Sequence, residues 1–322
     1  MNFKEDFVCL STIDIDSIDL EDKTFRITTD TSIKKLILSV KSVGLLNPPI
    51  LLKKTSGFQI ISGFRRISAY INLGIVKIPA KIINFDRKKL ECVKLAITDN
   101  SLQRTLNLIE QSRSLYMLSE FYPDNDRLAQ AASVLGLPDS PAIIKKIKNI
   151  CILPLDIQNG VLSNTISLAM AIELGKLKKD EGSAFAILFD KLKSSLNKQR
   201  EIITHIKEIA IIENSSIINL LTKNYLWEIS EDQELDKNKK INLIRSYLKQ
   251  RRFPEITKAE KKLEKKIKSL NLGRNIKLIV PKNFEATTFS LNIQFDNMEQ
   301  LRKNKTALEK IIKNPLLKDI LV

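Results

Sequence analysis

The hydrophobic period of this chain changes partway along, and that change constrains the fold more tightly than any single motif. Up to about residue 100, short apolar runs separated by turn residues read as mixed strands and helices. From about 88 to 228 the apolar spacing is 3.6 residues, broken at Pro123, Gly136 and Gly160, which predicts a helical middle domain. Residues 229 to 240 are polar, mixed in charge, and read as a linker. Beyond them come a basic helix predicted over Lys258 to Leu270, alternating stretches Asn275 to Val280 and Thr287 to Phe295, and a last helix from about Met298. The predicted class is α+β multidomain: an α/β N-terminal part, an all-α middle and a small α+β C-terminal unit.

Glycine sharpens the first of these parts. The chain has nine, and Gly44, Gly57, Gly63 and Gly74 fall within one short window. An amphipathic helix over Ser32 to Val43, with Ile33, Leu36, Ile37 and Val40 on one face, is closed by Gly44. Strands at Pro49 to Leu52 and Phe58 to Ile61 are divided by Thr55-Ser56-Gly57. A helix from Phe64 to Leu73 is closed by Gly74, and Ile78 to Ile83 supplies another strand.

Charge points to the partner. Against 37 acidic residues stand 53 basic ones, a net +16 over 322 positions. Such an excess favours a polyanion, nucleic acid before an anionic membrane surface, and double-stranded DNA is the partner expected once the motifs below are included. Residues 229–322 hold 22 basic and 12 acidic residues, so the tail carries +10 of the total. No apolar run approaches the ~18 residues a membrane span needs, and Lys4-Glu5-Asp6 puts acids where a secretory signal has an apolar core. The expectation is a cytoplasmic protein, associated with a nucleoid or plasmid, and no membrane partner.

Rare residues remove enzyme classes. Cys9, Cys92 and Cys151 form no CxxC pair, and one histidine, His205, cannot build a His-rich metal site or a Ser-His-Asp triad. Its apolar-periodic surroundings read as helix packing. GxGxxG and GxxxxGK[ST] are absent. No catalytic residue is assigned, and the metal is left undefined.

The segment Ile60-Ile61-Ser62-Gly63-Phe64-Arg65-Arg66-Ile67-Ser68-Ala69 runs from strand through glycine into helix. Free amides at a helix start attract anions, glycine admits a phosphate close to the backbone, and Arg65 and Arg66 can grip its oxygens. An ordinary strand-to-helix turn with two solvated arginines has the same spacing. Further on, Ala132 and Gly136 have the spacing of a helix-turn-helix, followed by Ser140 as N-cap and Pro141 at N1. Ile143, Ile144, Ile147 and Ile150 read as packing residues, and Lys145, Lys146 and Lys148 as phosphate contacts, with Ser140 nearest to base edges. Any two-helix turn in a bundle could give this pattern. Between 251 and 282, 11 basic residues face three acidic ones, with Lys261 and Lys265 central. That density suits sequence-independent DNA contact, or simply a solvated lysine face.

Three segments together resemble the N-terminal domain of ParB-type partition proteins, which belongs to the ParB/sulfiredoxin fold: Gly44-Leu45-Leu46-Asn47-Pro48-Pro49-Ile50, Ile61-Ser62-Gly63-Phe64-Arg65-Arg66-Ile67-Ser68-Ala69 and Ile78-Pro79-Ala80. Asn100-Ser101-Leu102-Gln103-Arg104 and Leu106-Asn107-Leu108-Ile109-Glu110 are similar to the E-N-x-x-R and L-N-x-x-E motifs that follow in the family. The resemblance implies a CTP pocket at Ser62, Gly63, Phe64, Arg65, Arg66, Asn100, Ser101 and Arg104, with Mg²⁺ as companion ion. It implies a nucleotide-binding domain over 1–105 and a helical DNA-binding domain over 106–228, its helix-turn-helix at about 126–150. A linker and basic helix over 229–255 then lead to a homodimerisation domain at 256–322.

Departures qualify what is carried over. Phe64 and Asn100 stand where the family has glutamates, and hydrolysis needs carboxylates to hold Mg²⁺ and orient water. The expectation is a nucleotide bound weakly or without turnover, with at most residual CTPase activity; Asp99 is the nearest substitute acid. Pro141 replaces the arginine of the family's S-R pair, so the family's DNA site does not transfer. A ParA-type ATPase partner is implied by the resemblance alone. Two rivals stand beside the partition reading: a transcriptional regulator of the same architecture that never loads as a clamp, and a nucleotide-dependent enzyme of this fold. No cysteine lies in the Gly63–Arg66 turn, which removes sulfiredoxin chemistry there.

Overall fold

The computed structural model describes residues 9–83, 88–222, 225–273, 275–279 and 288–321. By internal contacts the chain divides into two units, Met1–Gln199 and Arg200–Val322.

The first unit opens with β1 (Cys9–Asp14), a 3₁₀ turn and β2 (Ile18–Asp19), followed by α1 (Lys34–Val43). Then come β3 (Ile50–Lys54), β4 (Gly57–Ser62), α2 (Phe64–Asn72), β5 (Lys77–Ile83) and α3 (Lys89–Ser101). Five strands form one mixed sheet in the order β1-β5-β3-β4-β2. β3 and β4 are an antiparallel hairpin, β5 runs parallel to β3 and antiparallel to β1, and β2 lies parallel to β4.

Neighbouring residues on the central strands point to opposite faces, and both faces are covered. Leu51 and Ile60 join Val40, Ile67 and Tyr70 beneath α1 and α2. Leu52 and Ile61 join Ile83, Val93 and Ala96 on the side of α3. This explains why the hairpin reads as continuous apolar runs rather than clean alternation.

Helices follow: α4 (Leu108–Ser119), α5 (Asn125–Ser133), α6 (Pro141–Ile147), α7 (Leu155–Leu162), α8 (Leu168–Leu174), α9 (Lys179–Leu192) and α10 (Leu196–Ile212). Leu128 and Ala132 of α5, with Ile144 and Ile147 of α6, belong to the same apolar core as Ile61, Ile83 and Ala96. Gly160 does not break the helical run as expected; it lies inside α7. A Cβ there would stand 2.4 Å from Ile166 Cδ1, so the glycine serves close packing rather than a turn.

The second unit continues with α11 (Ile217–Thr222), α12 (Tyr225–Glu231), α13 (Lys237–Arg252) and α14 (Pro254–Ser269). The polar stretch 229–240 is therefore mostly helical, and only residues 232–236 lie between α12 and α13. Asp236 caps α13 by accepting the Lys239 amide at 2.9 Å, while Ile241, Ile244 and Leu248 are buried at helical spacing. The basic helix begins at Pro254, four residues before the predicted start, with proline in its first turn.

β6 (Ile276–Ile279) and β7 (Ser290–Ile293) pair antiparallel, and α15 (Met298–Ile312) and α16 (Pro315–Leu321) close the chain. The expected helix-strand-strand-helix order is present with one further helix. Residues 280 and 287 of the predicted strands lie outside the described residues. Leu270, Leu278 and Ile320 form the local core, with Leu263 and Ile267 packed against it. His205, on α10, packs edge-on against Phe253 with ring centroids 6.0 Å apart. Among the described residues no helix is long and apolar enough to cross a membrane.

Candidate functional site

β4 hands over to α2 at Gly63, whose φ of 99° lies in the left-handed region. A Cβ at this position would stand 2.6 Å from Pro49 Cβ and 2.8 Å from Pro49 Cα, so glycine is required twice over. No side chain caps α2, and the Arg66 and Ile67 amides both turn back to the Gly63 carbonyl. The amides ahead of them have no partner within the helix and open toward a cleft of about 310 Å³.

That cleft collects most of the residues singled out from the sequence. Ser62, Gly63, Phe64, Arg65 and Arg66 line it from the turn, and Asn100 and Arg104 from the end of α3. Ser101 does not line it. Its hydroxyl is buried without a hydrogen-bond partner and faces Gly136. The structure adds Thr28, Asn47 and Gln103 to the lining. Gln103 and Asn47 lie inside segments the sequence reading quoted, whereas nothing in the sequence around Thr28 points to the cleft.

Each arginine is already held by the protein. Arg66 Nη2 lies 2.9 Å from Asp99 Oδ2, and its Nη1 donates to the carbonyls of Asn47 at 2.7 Å and Pro48 at 3.1 Å. The Ser62 hydroxyl also donates to Asp99, and Gln103 reaches its other oxygen at 3.1 Å. Arg65 pairs with Asp30 at 3.0 Å and donates to the Ser32 carbonyl. Arg104 forks onto Glu110 with contacts of 2.6 and 2.7 Å.

Glu110 is the deepest of these acids, with its side chain only 1% exposed. It accepts the amides of Thr29 at 2.9 Å and Asn107 at 3.1 Å, while Asn107 accepts the Glu110 amide, so the start of α4 is capped reciprocally. Burial pushes its carboxyl up, but the Arg104 fork and the two amides outweigh that and hold it below the ordinary range. The same fork raises the Arg104 guanidinium.

A triphosphate fits the cationic half of this site: helix-start amides, Arg66 and the rim arginines are what an anion requires. Carboxylates for a metal are less available. Phe64 packs into the apolar cluster under α1 and α2, and the Asn100 amide donates to the Ala96 carbonyl at 2.8 Å. Among the described residues no cluster of three metal-ligating side chains occurs.

Farther along, α5 is capped by Asp124, which accepts the Arg127 amide at 3.2 Å. Ala132 is fully buried, and Gly136, at φ 71°, makes the turn toward α6. Ser140 occupies the cap position with extended backbone and Pro141 follows, but the serine hydroxyl makes no capping bond. Ile144, Ile147 and Ile150 are buried as expected, whereas Ile143 is 45% exposed because the helical step turns it away from the core. Lys145 and Lys146 are exposed. Lys148 is not, since its ammonium donates to Asn125 at 3.2 Å. Lys261 and Lys265 are exposed on α14 in the second unit.

The mixed sheet, the glycine-led helix and the arginine-lined cleft define an α+β domain whose cleft opens at a helix start. Residues 3–101 match the model of the ParB N-terminal domain. The chain therefore carries a ParB N-terminal domain, as the sequence resemblance implied. A nucleoid occlusion protein of Bacillus cereus (strain AH187) is 29% identical over 153 residues, covering 47% of this chain and 51% of the relative. One from Bacillus cytotoxicus is 24% identical over 234 residues, covering 66% of this chain and 79% of the relative. The chain thus spans about half the length of the first of these relatives. Among solved structures, C-terminally truncated ParB from Caulobacter crescentus with CTP-γ-S aligns at 19% identity and TM-score 0.26, covering 56% of this chain and 99% of that one. The same protein on the centromeric parS site aligns at 17% identity and TM-score 0.33, covering 59% and 96%.

Proposed function

We propose that this chain is a DNA-binding partition or nucleoid-occlusion protein that holds CTP in the Gly63 cleft and pairs with a second copy through residues 256–322. The observation that carries this reading is the convergence of Arg65, Arg66 and Arg104 on one cleft of a ParB N-terminal domain. CTP supplies a polyanion whose binding can bias how two copies engage DNA. The proposed division runs over 1–105 for the nucleotide, 106–228 for DNA and 229–255 as connector. A ParA-type ATPase partner is carried over from the family resemblance alone.

The ion pairs indicate which contacts exchange. For a phosphate to sit over the turn, Arg66 has to leave Asp99, and both groups are partly open to solvent. Glu110 is different: releasing Arg104 would strand a buried carboxylate, so Arg104 stays anchored and presents only what the fork leaves free. Mg²⁺ would travel with the phosphates, and Asp99, held by Ser62 and Arg66, is the acid that would approach it. With Phe64 and Asn100 in place of acids, the nucleotide is bound rather than hydrolysed.

Calorimetry of CTP binding with and without DNA tests the reading. Wild type binds, and Arg66→Ala weakens binding about 10- to 100-fold, the range for one lost charge-assisted contact. Phosphate release stays at background in both. No binding heat in wild type would remove the nucleotide from the account.

On DNA, Lys145 and Lys146 would contact phosphates and Ser140 base edges, with Lys261 and Lys265 adding sequence-independent contacts. Replacing Lys145 and Lys146 by alanine should weaken binding to all sequences alike and lower the log–log salt slope by about 2. A salt titration in which the slope is unchanged would move the contact surface elsewhere. The second reading, an operator-binding regulator that never loads as a clamp, is favoured by Phe64 and Asn100. Spreading from a site on closed but not on linear DNA separates the two.

A further inference from the structure

Phe64 and Arg65 also line a second concavity, of about 250 Å³, that the nucleotide reading does not use. Its floor is apolar, formed by Ile67 and the half-buried Ile33, with Ile71, 44% exposed, at the rim. Three cations line it, Lys23, Arg26 and Arg65, and no acid among the described residues does. Arg65 is held by Asp30 and the Ser32 carbonyl. Among the described residues Lys23 reaches only Glu21, at 3.5 Å between exposed groups. Arg26 is the exception: its Nε is buried and makes no hydrogen bond among the described residues. A buried cationic donor without a partner is costly, and Arg26 is half-buried and lines this hollow, so an anion held by its guanidinium would offset the cost.

We propose that this concavity binds a small amphipathic anion, a carboxylate or phosphate head on Arg26 and Lys23 with a short alkyl or aromatic body over Ile33, Ile67 and Ile71. The head answers the unpaired guanidinium nitrogen. The body covers apolar surface that α2 leaves open beside it. The site shares Phe64 and Arg65 with the CTP cleft, but the head is placed on Arg26 and Lys23, outside that cleft, so its failure would leave the nucleotide reading standing.

The test uses the full chain and two matched pairs of probes: hexanoate against acetate, and phenyl phosphate against inorganic phosphate. Calorimetry measures affinity, and the Arg26 Nε–H resonance of ¹⁵N-labelled protein locates binding. Each buried methylene is worth roughly fourfold in affinity, so a probe with an apolar body should bind at least about tenfold tighter than its head alone. The tighter of hexanoate and phenyl phosphate identifies the head. Ile71→Glu, at an exposed rim position, should abolish the gain without disturbing the fold, and Arg26→Gln should weaken both members of each pair. An absent saturable shift at Arg26, equal affinities within each pair, or hexanoate binding that survives Ile71→Glu would each overturn the proposal.

Discussion

Gly63→Ala is expected to destabilise the first unit by about 3 kcal/mol. Left-handed backbone costs a residue with a Cβ about 1–2 kcal/mol, and the new methyl would meet Pro49 at 2.6 and 2.8 Å. Crowding of that kind typically adds about 1–3 kcal/mol. Pro49 is a stiff neighbour preceding β3, so the strain falls on the loop that supplies Asn47 to the cleft. For a unit of this size the transition should move down by about 2–4 °C per kcal/mol. Gly74→Ala is the control, because its φ of 69° is also left-handed but nothing lies within 4 Å of the added atom. Equal losses of melting temperature in the two variants would show that contact with Pro49 contributes nothing.

Glu110→Ala should cost a similar amount, about 3 kcal/mol, by another route. It removes the reciprocal cap of α4, worth about 1 kcal/mol, and strands the Thr29 amide and the Arg104 fork, each unpaired donor adding about 1–3 kcal/mol when buried. Arg104 is 41% exposed and recovers part of its loss from water, which keeps the total from reaching the sum. Glu110→Gln separates charge from shape. Because the folded carboxyl titrates below its ordinary value, its ion pair contributes in full above the unfolded pKa and is lost as pH falls through the folded one. Wild type should therefore lose stability faster than Glu110→Gln between about pH 5 and 3. Denaturant midpoints across that range measure it, and parallel curves would rule the pair out as a pH-sensitive contact.

The sequence was most informative where punctuation was strong. The hairpin, α1, α2 and β5 lie within two residues of their predicted ends, because Gly44, Gly57, Gly63 and Gly74 mark the end of α1, the hairpin turn and both ends of α2. β1 and β2 left no comparable trace: β1 alternates between exposed and half-buried residues, and β2 has only two residues. Helix α13 was hidden by its charged first turns, although Ile241, Ile244 and Leu248 keep a helical register. In the cleft, the contiguous glycine-arginine turn could be read directly. Its acidic counterweights could not, since Asp99 meets Arg66 across 33 residues and Asp30 meets Arg65 through the fold alone. Ser101 was grouped with its neighbours by adjacency, yet the end of α3 turns it from the cleft toward Gly136.

The apolar cluster joining Ile61, Ile83 and Ala96 to Leu128, Ala132 and Ile144 has a practical consequence for dissecting the molecule. Severing the chain after α3 would leave each fragment with a greasy wound where the other had been, and neither would keep its native surface. Separate pieces would stick to one another or to themselves. Any attempt to assign one task to one fragment would then be measuring the scar.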